Sequence, residues 1–182
     1  MKNVVKLLLF ASVAAFISCE APDATENDNK AGEQDSNAYV ISTPMYPECW
    51  INEHTLQREV VHTPPWASKI DSSWQDSYGY RDFFRNAGPQ MPKLINVSFW
   101  ALFPKTEIDA KLVVGIDSME TQTFWVGIEL KDSIKTANEW QKFNISLGTP
   151  AKTGPDHRLT VYVWGFDKQR MYVDDFAVSY TY

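Results

Sequence analysis

The chain has 182 residues, a formal net charge of −6, and aromatic residues at 14% of its positions. This length suits one domain with a short additional segment. The negative charge and the lack of a basic patch argue against nucleic acid as a partner, because proteins that bind nucleic acids carry cationic side chains that neutralise phosphates. The many aromatic residues favour a β fold with a large core.

The N-terminus has the three parts of a secretory signal peptide. Two lysines give it a positive start, residues 7–17 are almost wholly apolar, and the small residue Ser18 precedes Cys19. The apolar stretch is shorter than the roughly 20 residues that a membrane-spanning helix needs. We therefore predict that residues 1–18 are a signal peptide.

Residues 16–19, Phe-Ile-Ser-Cys, resemble a bacterial lipobox, in which cleavage precedes the cysteine and its thiol carries a diacylglycerol. Phenylalanine replaces the usual leucine at the first position of that motif. The resemblance implies a lipid on Cys19, and two or more acyl chains make membrane attachment stable. It predicts an exported protein that is lipid-anchored to a bacterial membrane, at the outer membrane or cell surface. The alternative is a plain signal peptide with an incidental cysteine.

Residues 20–38 contain no aromatic residue and no aliphatic residue larger than alanine. Such a segment cannot bury enough apolar surface to fold. We predict that residues 19–38 form a disordered acidic tether and that residues 39–182 form the folded domain. The acidic residues after Cys19 also resemble the export signals of surface lipoproteins in Bacteroidetes-like bacteria.

The first part of the domain has weak strand signals, because several prolines interrupt it. Short strands are predicted at residues 39–42, 58–62 and 68–70. The aromatic-rich segment 66–84 is interpreted as a loop that either binds a ligand or packs on itself. If Cys19 carries a lipid, Cys49 has no disulfide partner, and its apolar surroundings favour a buried structural thiol over a nucleophile.

From residue 94 onward, apolar and polar residues alternate with a period of two, which is typical of half-buried antiparallel strands. No segment shows sustained helical periodicity, and residues 131–138 can form only a turn or two of helix. The spacing of the strands and turns predicts a sandwich or a barrel. The predicted strands are residues 94–103, 111–116, 123–130, 140–147, 159–166 and 171–182. The predicted core residues are Phe124, Val126, Ile128, Phe143, Ile145, Val161 and Val163.

Four segments resemble in order and spacing the strands of one group of carbohydrate-binding modules, families 4/9/16/22: VSFWA at 97–101, WQKF at 140–143, LTVYVW at 159–164 and MYVDDF at 171–176. The resemblance covers about residues 94–182 well and the first half of the chain loosely. It implies an all-β fold, a jelly-roll β-sandwich of two antiparallel sheets, similar to galactose-binding domains. It also implies a structural calcium ion, with Glu48, Asp174 and Asp175 as its ligands.

The residues themselves leave the calcium question open. Asp174 and Asp175 are adjacent carboxylates on an otherwise apolar strand, and a buried charge is costly unless it is paired or coordinates a metal. Calcium binds carboxylate and carbonyl oxygens. Alternatively, one aspartate faces solvent and the other accepts hydrogen bonds from backbone amides.

Several aromatic side chains fall on the strand faces opposite the predicted core, together with polar residues. Sugar rings stack their C–H faces on aromatic rings, and their hydroxyls form hydrogen bonds with nearby polar groups. Alternatively, these rings cover a sheet or pack beneath a loop. The predicted ligand-binding residues are Trp100, Trp125, Tyr162, Trp164 and Arg158.

Catalysis has little support in the sequence. His54, His62 and His157 do not have metal-ligand spacing, and no nucleophile motif is present, so no catalytic residue is predicted and the chain is not expected to be an enzyme. The predicted function is non-catalytic binding of a polysaccharide or oligosaccharide by a membrane-anchored surface lipoprotein. The main alternative is a structural lipoprotein that contacts neighbouring surface proteins and has no glycan ligand. A third is a polysaccharide lyase or hydrolase on the same fold.

Overall fold

The structure is a computed structural model that describes residues 38–42, 49–119, 121–166 and 169–182. The predicted signal peptide, the lipidation site Cys19, most of the predicted tether and Glu48 lie outside these residues, so the predictions made for them stay predictions. No helix in the described ranges has the length and apolar character needed to span a membrane.

The described residues form eleven strands. Three turns of 3-10 helix connect them, and one of these, Lys131–Ser133, lies where a helical turn is predicted. The long strands predicted after residue 94 are all confirmed, within a few residues at their ends. The strands are β1 (Ala38–Ser42), β2 (Trp50–Ile51), β3 (Leu56–Gln57), β4 (Ala67–Ile70), β5 (Gly79–Phe83), β6 (Leu94–Leu102), β7 (Ala110–Ser118), β8 (Thr121–Glu129), β9 (Trp140–Gly148), β10 (Arg158–Gly165) and β11 (Met171–Thr181).

The strands form two antiparallel sheets. Sheet A has the order β3-β4-β11-β6-β9, with β1 also paired to β11, and sheet B has the order β2-β5-β10-β7-β8. From β4 to β11 the chain passes repeatedly between the two sheets, with β4, β6, β9 and β11 in sheet A and the strands between them in sheet B. This connectivity is that of a jelly roll. The predicted all-β sandwich of two antiparallel sheets is therefore confirmed.

The core lies between the sheets and is filled by alternate side chains of the long strands. Phe99 of sheet A is fully buried, and its ring stacks on those of Phe143 and Phe176, with centroids 5.1 and 5.7 Å apart. In sheet B, Val161 and Val163 of β10 are likewise fully buried. Burial of each such side chain stabilises the fold by roughly 1.5–3 kcal/mol. Because side chains alternate along a strand, the remaining positions of β10 face outward.

Two parts of the N-terminal half differ from the prediction. Residues 58–62, predicted as a strand, form turns and bends, and β3 ends at Gln57. The Gln57 side chain closes this turn, since its Nε2 donates to the carbonyl of Val60 at 2.7 Å and its Oε1 accepts the amide of Val60 at 3.0 Å. Such local side-chain bonds compete with strand pairing. The segment predicted as an aromatic loop contains strand β5, which pairs with β2 and β10 in sheet B.

Cys49 is buried, as predicted, at 4% exposure. Its Sγ donates to Oδ2 of Asp82 on β5 at 3.3 Å. The thiol therefore packs beneath sheet B as part of the core.

Candidate functional site

The outer face of sheet B carries a row of residues that lie directly opposite one another on four strands. In order across the sheet they are Arg81, Thr160, Gly115 and Trp125. Neighbouring strands are about 4.8 Å apart, so the row is roughly 14 Å long between the Cα atoms at its ends. Long side chains stand at both ends and small ones in the middle. A side chain at Gly115 would begin in open space, because no atom lies within 4 Å of its Cβ position.

Two further glycines make room for the aromatic side chains of this face. A Cβ at Gly79 would lie 2.4 Å from the carbonyl oxygen of Val161 and 2.7 Å from Cβ of Tyr162. A Cβ at Gly127 would lie 3.0 Å from Cη2 of Trp125. The indole of Trp125 therefore extends over Gly127, and the base of Tyr162 lies against Gly79.

An ion pair forms the next row. Arg158 and Asp117 are opposite each other on β10 and β7, and Gln122 follows on β8. Nη2 of Arg158 lies 3.2 Å from Oδ1 of Asp117, and Nε lies 3.4 Å from Oδ2. These two contacts engage both oxygens of the carboxylate.

Together these rows enclose a groove with a volume of about 290 Å³. We name it the sheet B groove. Its lining residues are Arg81, Val113, Gly115, Ile116, Asp117, Gln122, Trp125, Arg158, Thr160 and Tyr162.

The sheet B groove offers one aromatic face and several hydrogen-bond donors. Trp125 is 45% exposed. Nε of Arg81 donates to Oγ1 of Thr160 at 3.2 Å, which orients the guanidinium. Burial raises the pKa of Tyr162, nearby Asp76 raises it further, and Arg81 opposes the shift, so the hydroxyl keeps its proton near neutral pH. A ligand with an apolar face and polar edges would find partners for both.

Three of the five predicted ligand-binding residues, Trp125, Tyr162 and Arg158, line this groove together. Trp164 lies on the same face, two residues beyond Tyr162 on β10. Its ring is 3.9 Å from that of Phe166, and its Nε1 lies 3.5 Å from Oε1 of Gln75. Trp164 therefore packs against neighbours beside the groove and does not line it.

Trp100 lies on the other sheet, so the structure does not bring it to the sheet B groove. It belongs to β6 of sheet A, and the imidazole of His62 stacks on its ring with centroids 4.0 Å apart and an interplanar angle of 18°. The β3–β4 connection thus covers the indole. This is the arrangement of a ring packed beneath a loop, which the sequence left open as the alternative.

The sequence pattern does not predict Arg81, Asp117 or Gln122 as ligand-binding residues, although all three line the groove. Arg81 is missed because β5 is interpreted as loop. The available signal is the alternation within β5, in which Tyr80 is buried and Arg81 is exposed. Asp117 and Gln122 lie next to a register shift between β7 and β8, which alternation alone does not indicate.

The predicted calcium ligands that are described, Asp174 and Asp175, are engaged by hydrogen-bond donors. Oδ2 of Asp174 accepts the backbone amides of His62 and Thr63 at 2.7 and 3.0 Å, and its Oδ1 accepts the amide of Asp175 at 2.7 Å. Oδ2 of Asp175 lies 2.8 Å from Nδ1 of His62 and accepts the hydroxyl of Thr63 at 2.9 Å.

These two carboxylates supply four oxygens, whereas a calcium ion binds six to eight. Within the described ranges, no three His, Cys, Asp or Glu side chains come together as metal ligands. Glu48 lies outside these ranges, so a calcium site that includes it stays a prediction.

A second cavity of about 290 Å³ lies between the β3–β4 connection and β11. Its walls include Pro64, Pro65, Trp66 and Phe176. The carboxylates of Asp174 and Asp175 also line it, and both accept hydrogen bonds from Thr63 of the β3–β4 connection. It offers fewer polar groups for a ligand than the sheet B groove does. We therefore take the groove as the candidate site.

No protein-family model and no curated protein matches the chain. Solved structures with a similar fold include carbohydrate-binding modules. One, a family 16 carbohydrate-binding module, is 13% identical with a TM-score of 0.44, over 68% of this chain and 82% of that one. The CBM22-2 xylan-binding domain from Paenibacillus barcinonensis Xyn10C is 16% identical with a TM-score of 0.45, over 72% and 91%. The C-terminal CBM6 of a marine laminarinase from Zobellia galactanivorans is 9% identical with a TM-score of 0.44, over 80% and 100%.

Proposed function

We propose that the sheet B groove binds a carbohydrate chain without altering it chemically. The observation that carries the proposal is the half-exposed ring of Trp125 beside the open floor at Gly115, with polar side chains on both sides. A sugar ring presents apolar C–H faces to an aromatic ring and hydroxyls to polar groups at its edge. The groove supplies both kinds of partner within one row of residues.

The charges in the groove favour binding over hydrolysis. Glycoside hydrolysis generally uses two carboxylates on either side of the scissile bond, roughly 5–9.5 Å apart. Asp117 is the carboxylate among the described lining residues, and Arg158 engages both of its oxygens. A carboxylate in a two-pronged ion pair is poorly placed to act as a general acid or nucleophile.

We further propose that the domain works at a cell surface, held there by a lipid on Cys19. The support is the lipobox-like sequence and the acidic segment that follows it. A groove on a tethered domain would keep a glycan close to the cell. Labelling of cells with a radioactive fatty acid tests the attachment: the wild-type chain should carry the label and a C19S variant should not. Equal labelling of the two proteins would contradict it.

The test of glycan binding is retardation in gels that contain polysaccharide, followed by calorimetry. The panel contains neutral β-glucan, xylan and galactan and the acidic polysaccharides polygalacturonate, alginate and chondroitin sulfate. Trp125→Ala should weaken binding about tenfold or more, because tryptophans that act as binding hot spots commonly contribute ~2 kcal/mol. Gly115→Val should also weaken it, because the added side chain fills the floor of the groove.

The matched control is Trp74→Ala. Trp74 is 51% exposed and lies outside the groove, with its ring centroid 4.1 Å from that of His54. This variant should bind like the wild type. The proposal is wrong if no polysaccharide in the panel binds, or if the Trp125 and Gly115 variants bind as well as the wild type. The alternative would then remain that the chain binds a neighbouring surface protein and has no glycan ligand.

A further inference from the structure

Two of the polar residues that line the sheet B groove are positively charged hydrogen-bond donors. Arg81 and Arg158 both line it, whereas Asp117 is the carboxylate among the described lining residues. The oxygens of Asp117 are occupied by Arg158. The lining residues of the groove therefore carry an excess of one positive charge, on a chain whose formal net charge is −6. The carboxylate of Asp76, which lies near Tyr162, is outside this lining.

Arg81 supplies this excess. Among the described residues, its hydrogen bond is the one from Nε to Thr160, which leaves its two terminal nitrogens without a protein acceptor. The side chain is exposed at the opposite end of the row from Trp125. A guanidinium presents two parallel N–H groups, which match the two oxygens of a carboxylate or a sulfate.

Neutral sugars present hydroxyls, which both donate and accept hydrogen bonds. Gln122 and Tyr162 line the groove and can likewise do both, whereas the guanidinium of Arg81 only donates. Carboxylate and sulfate groups only accept, and so they match what Arg81 offers. The overall negative charge of the protein opposes an anionic ligand only weakly, because exposed charges beyond about 8–10 Å are largely screened at physiological ionic strength.

We propose that the groove selects anionic polysaccharides, with a sugar ring on Trp125 and a charged substituent, carboxylate or sulfate, on Arg81. This inference rests on the proposed function and deepens it by naming the substrate class. The row from Arg81 to Trp125, roughly 14 Å between Cα atoms, accommodates a short segment of the chain between the two contacts.

The experiment compares each acidic polysaccharide with a neutral counterpart that has the same backbone. Polygalacturonate and alginate are paired with their carboxyl-reduced products, and chondroitin sulfate with a desulfated, carboxyl-reduced product. A fully sulfated but carboxyl-reduced chondroitin separates the two anionic groups. The wild type should bind at least one acidic polymer about tenfold more tightly than its neutral counterpart, and added salt should reduce this preference.

Variants of Arg81 identify the side chain responsible. Arg81→Gln keeps a polar side chain but removes the charge, so it should abolish the preference for the acidic polymer over its neutral counterpart. Arg81→Lys keeps the charge without the forked geometry and should retain part of the preference. Arg58→Gln is the matched control, because Arg58 is also exposed but lies over Trp66, away from the groove.

The outcomes separate the two proposals. Equal binding of acidic and neutral counterparts, or a preference that survives in Arg81→Gln, overturns the inference about substrate class and leaves glycan binding intact. If Arg58→Gln also loses the preference for acidic polymer, the preference depends on the overall charge of the protein, and the inference is overturned. Absence of binding to every polymer, acidic or neutral, contradicts the proposed function itself.

Discussion

Gly79 and Gly115 lie on the same outer face of sheet B, but their surroundings differ. Gly79 is buried against backbone, with the carbonyl oxygen of Val161 and Cβ of Tyr162 both closer to its Cβ position than real Cβ contacts allow. Gly115 has open space above it. One glycine is thus required for β5 and β10 to approach each other, and the other keeps the groove empty.

A pair of alanine variants tests this difference. Gly79→Ala should lower the free energy of unfolding by ~1–3 kcal/mol, because the backbone it meets cannot move aside cheaply. Gly115→Ala should leave stability unchanged or raise it by up to ~1 kcal/mol, since glycine in a strand is entropically costly. Urea unfolding followed by tryptophan fluorescence measures both. Equal effects of the two substitutions would show that the strands adjust freely around Gly79.

At the scale of single residues, alternation along β8 and β10 was enough to place Trp125, Tyr162 and Arg158 on an outward face. It could not place Trp100, because the pattern does not say which sheet a strand joins. It also could not show that His62, 38 residues earlier in the chain, stacks on that ring. Contacts of this kind depend on the path of a loop.

At the scale of elements, the six long strands from β6 to β11 could be predicted because each has eight or more residues and contains a stretch of period-two alternation. Strand β5 could not, because it has five residues, begins with a glycine and has the charged Asp82 among its partly buried positions. Its pairing with β10 overrides these weak local preferences. Because β5 was not predicted, Arg81, which it contributes to the groove, was not predicted either.

The bulge in β11 explains how the adjacent residues Asp174 and Asp175 both form hydrogen bonds with the β3–β4 connection. Asp174 pairs with Trp100 and Ala177 with Ser98, so β11 has one extra residue over this stretch. Asp175 lies in the extra stretch with a φ of 48°. The bulge allows Met171 and Val173 on one side of it and Phe176 and Val178 on the other to point into the core. It leaves the Asp174 carboxylate directed at the amides of His62 and Thr63.

Asp174→Asn tests how much the hydrogen bonds from Asp174 to the β3–β4 connection contribute to stability. The amide group has one oxygen where the carboxylate has two, and its NH₂ would face donors, so the variant should lose about 1–3 kcal/mol of unfolding free energy. Asp175→Asn is the control: that side chain is 36% exposed, and asparagine tolerates a positive φ, so its effect should be smaller.

Both variants are measured by urea unfolding, once in calcium and once in EGTA. Equal losses in the two buffers agree with a role for Asp174 as a hydrogen-bond acceptor. A loss that appears in calcium alone would support the predicted calcium site instead.

At the scale of the whole molecule, two buried tyrosines join the sheets through the core. Tyr80 comes from β5 of sheet B and Tyr180 from β11 of sheet A, and both are fully buried. The hydroxyl of Tyr180 donates to that of Tyr80 at 3.4 Å. Burial raises the pKa of both groups above the usual value for tyrosine, because the ionised form has lost its hydration. The half-buried Tyr78, which stacks on Trp50, has its pKa raised to about 12, also mainly by burial.

These shifts predict a loss of stability in alkali. Above a pH of about 10, tyrosines in the unfolded chain release their protons while the buried ones keep theirs, so the free energy of unfolding falls by ~1.4 kcal/mol per pH unit for each buried group. Their stabilising effect is therefore complete below pH 10 and is lost as the pH rises towards the folded-state pKa. Urea unfolding at intervals between pH 7 and pH 11 measures this slope.

The Tyr180→Phe variant assigns part of that slope to one hydroxyl. At pH 7 it should be slightly less stable than the wild type, since the hydrogen bond to Tyr80 is lost. Between pH 10 and pH 11 it should lose less stability than the wild type, because one group fewer is released on unfolding. Lysines that titrate in the same range are present in both proteins and cancel in the comparison. Identical slopes for the two proteins would show that Tyr180 ionises as readily in the folded sandwich as in the unfolded chain, and that its burial between the sheets does not control the response to alkali.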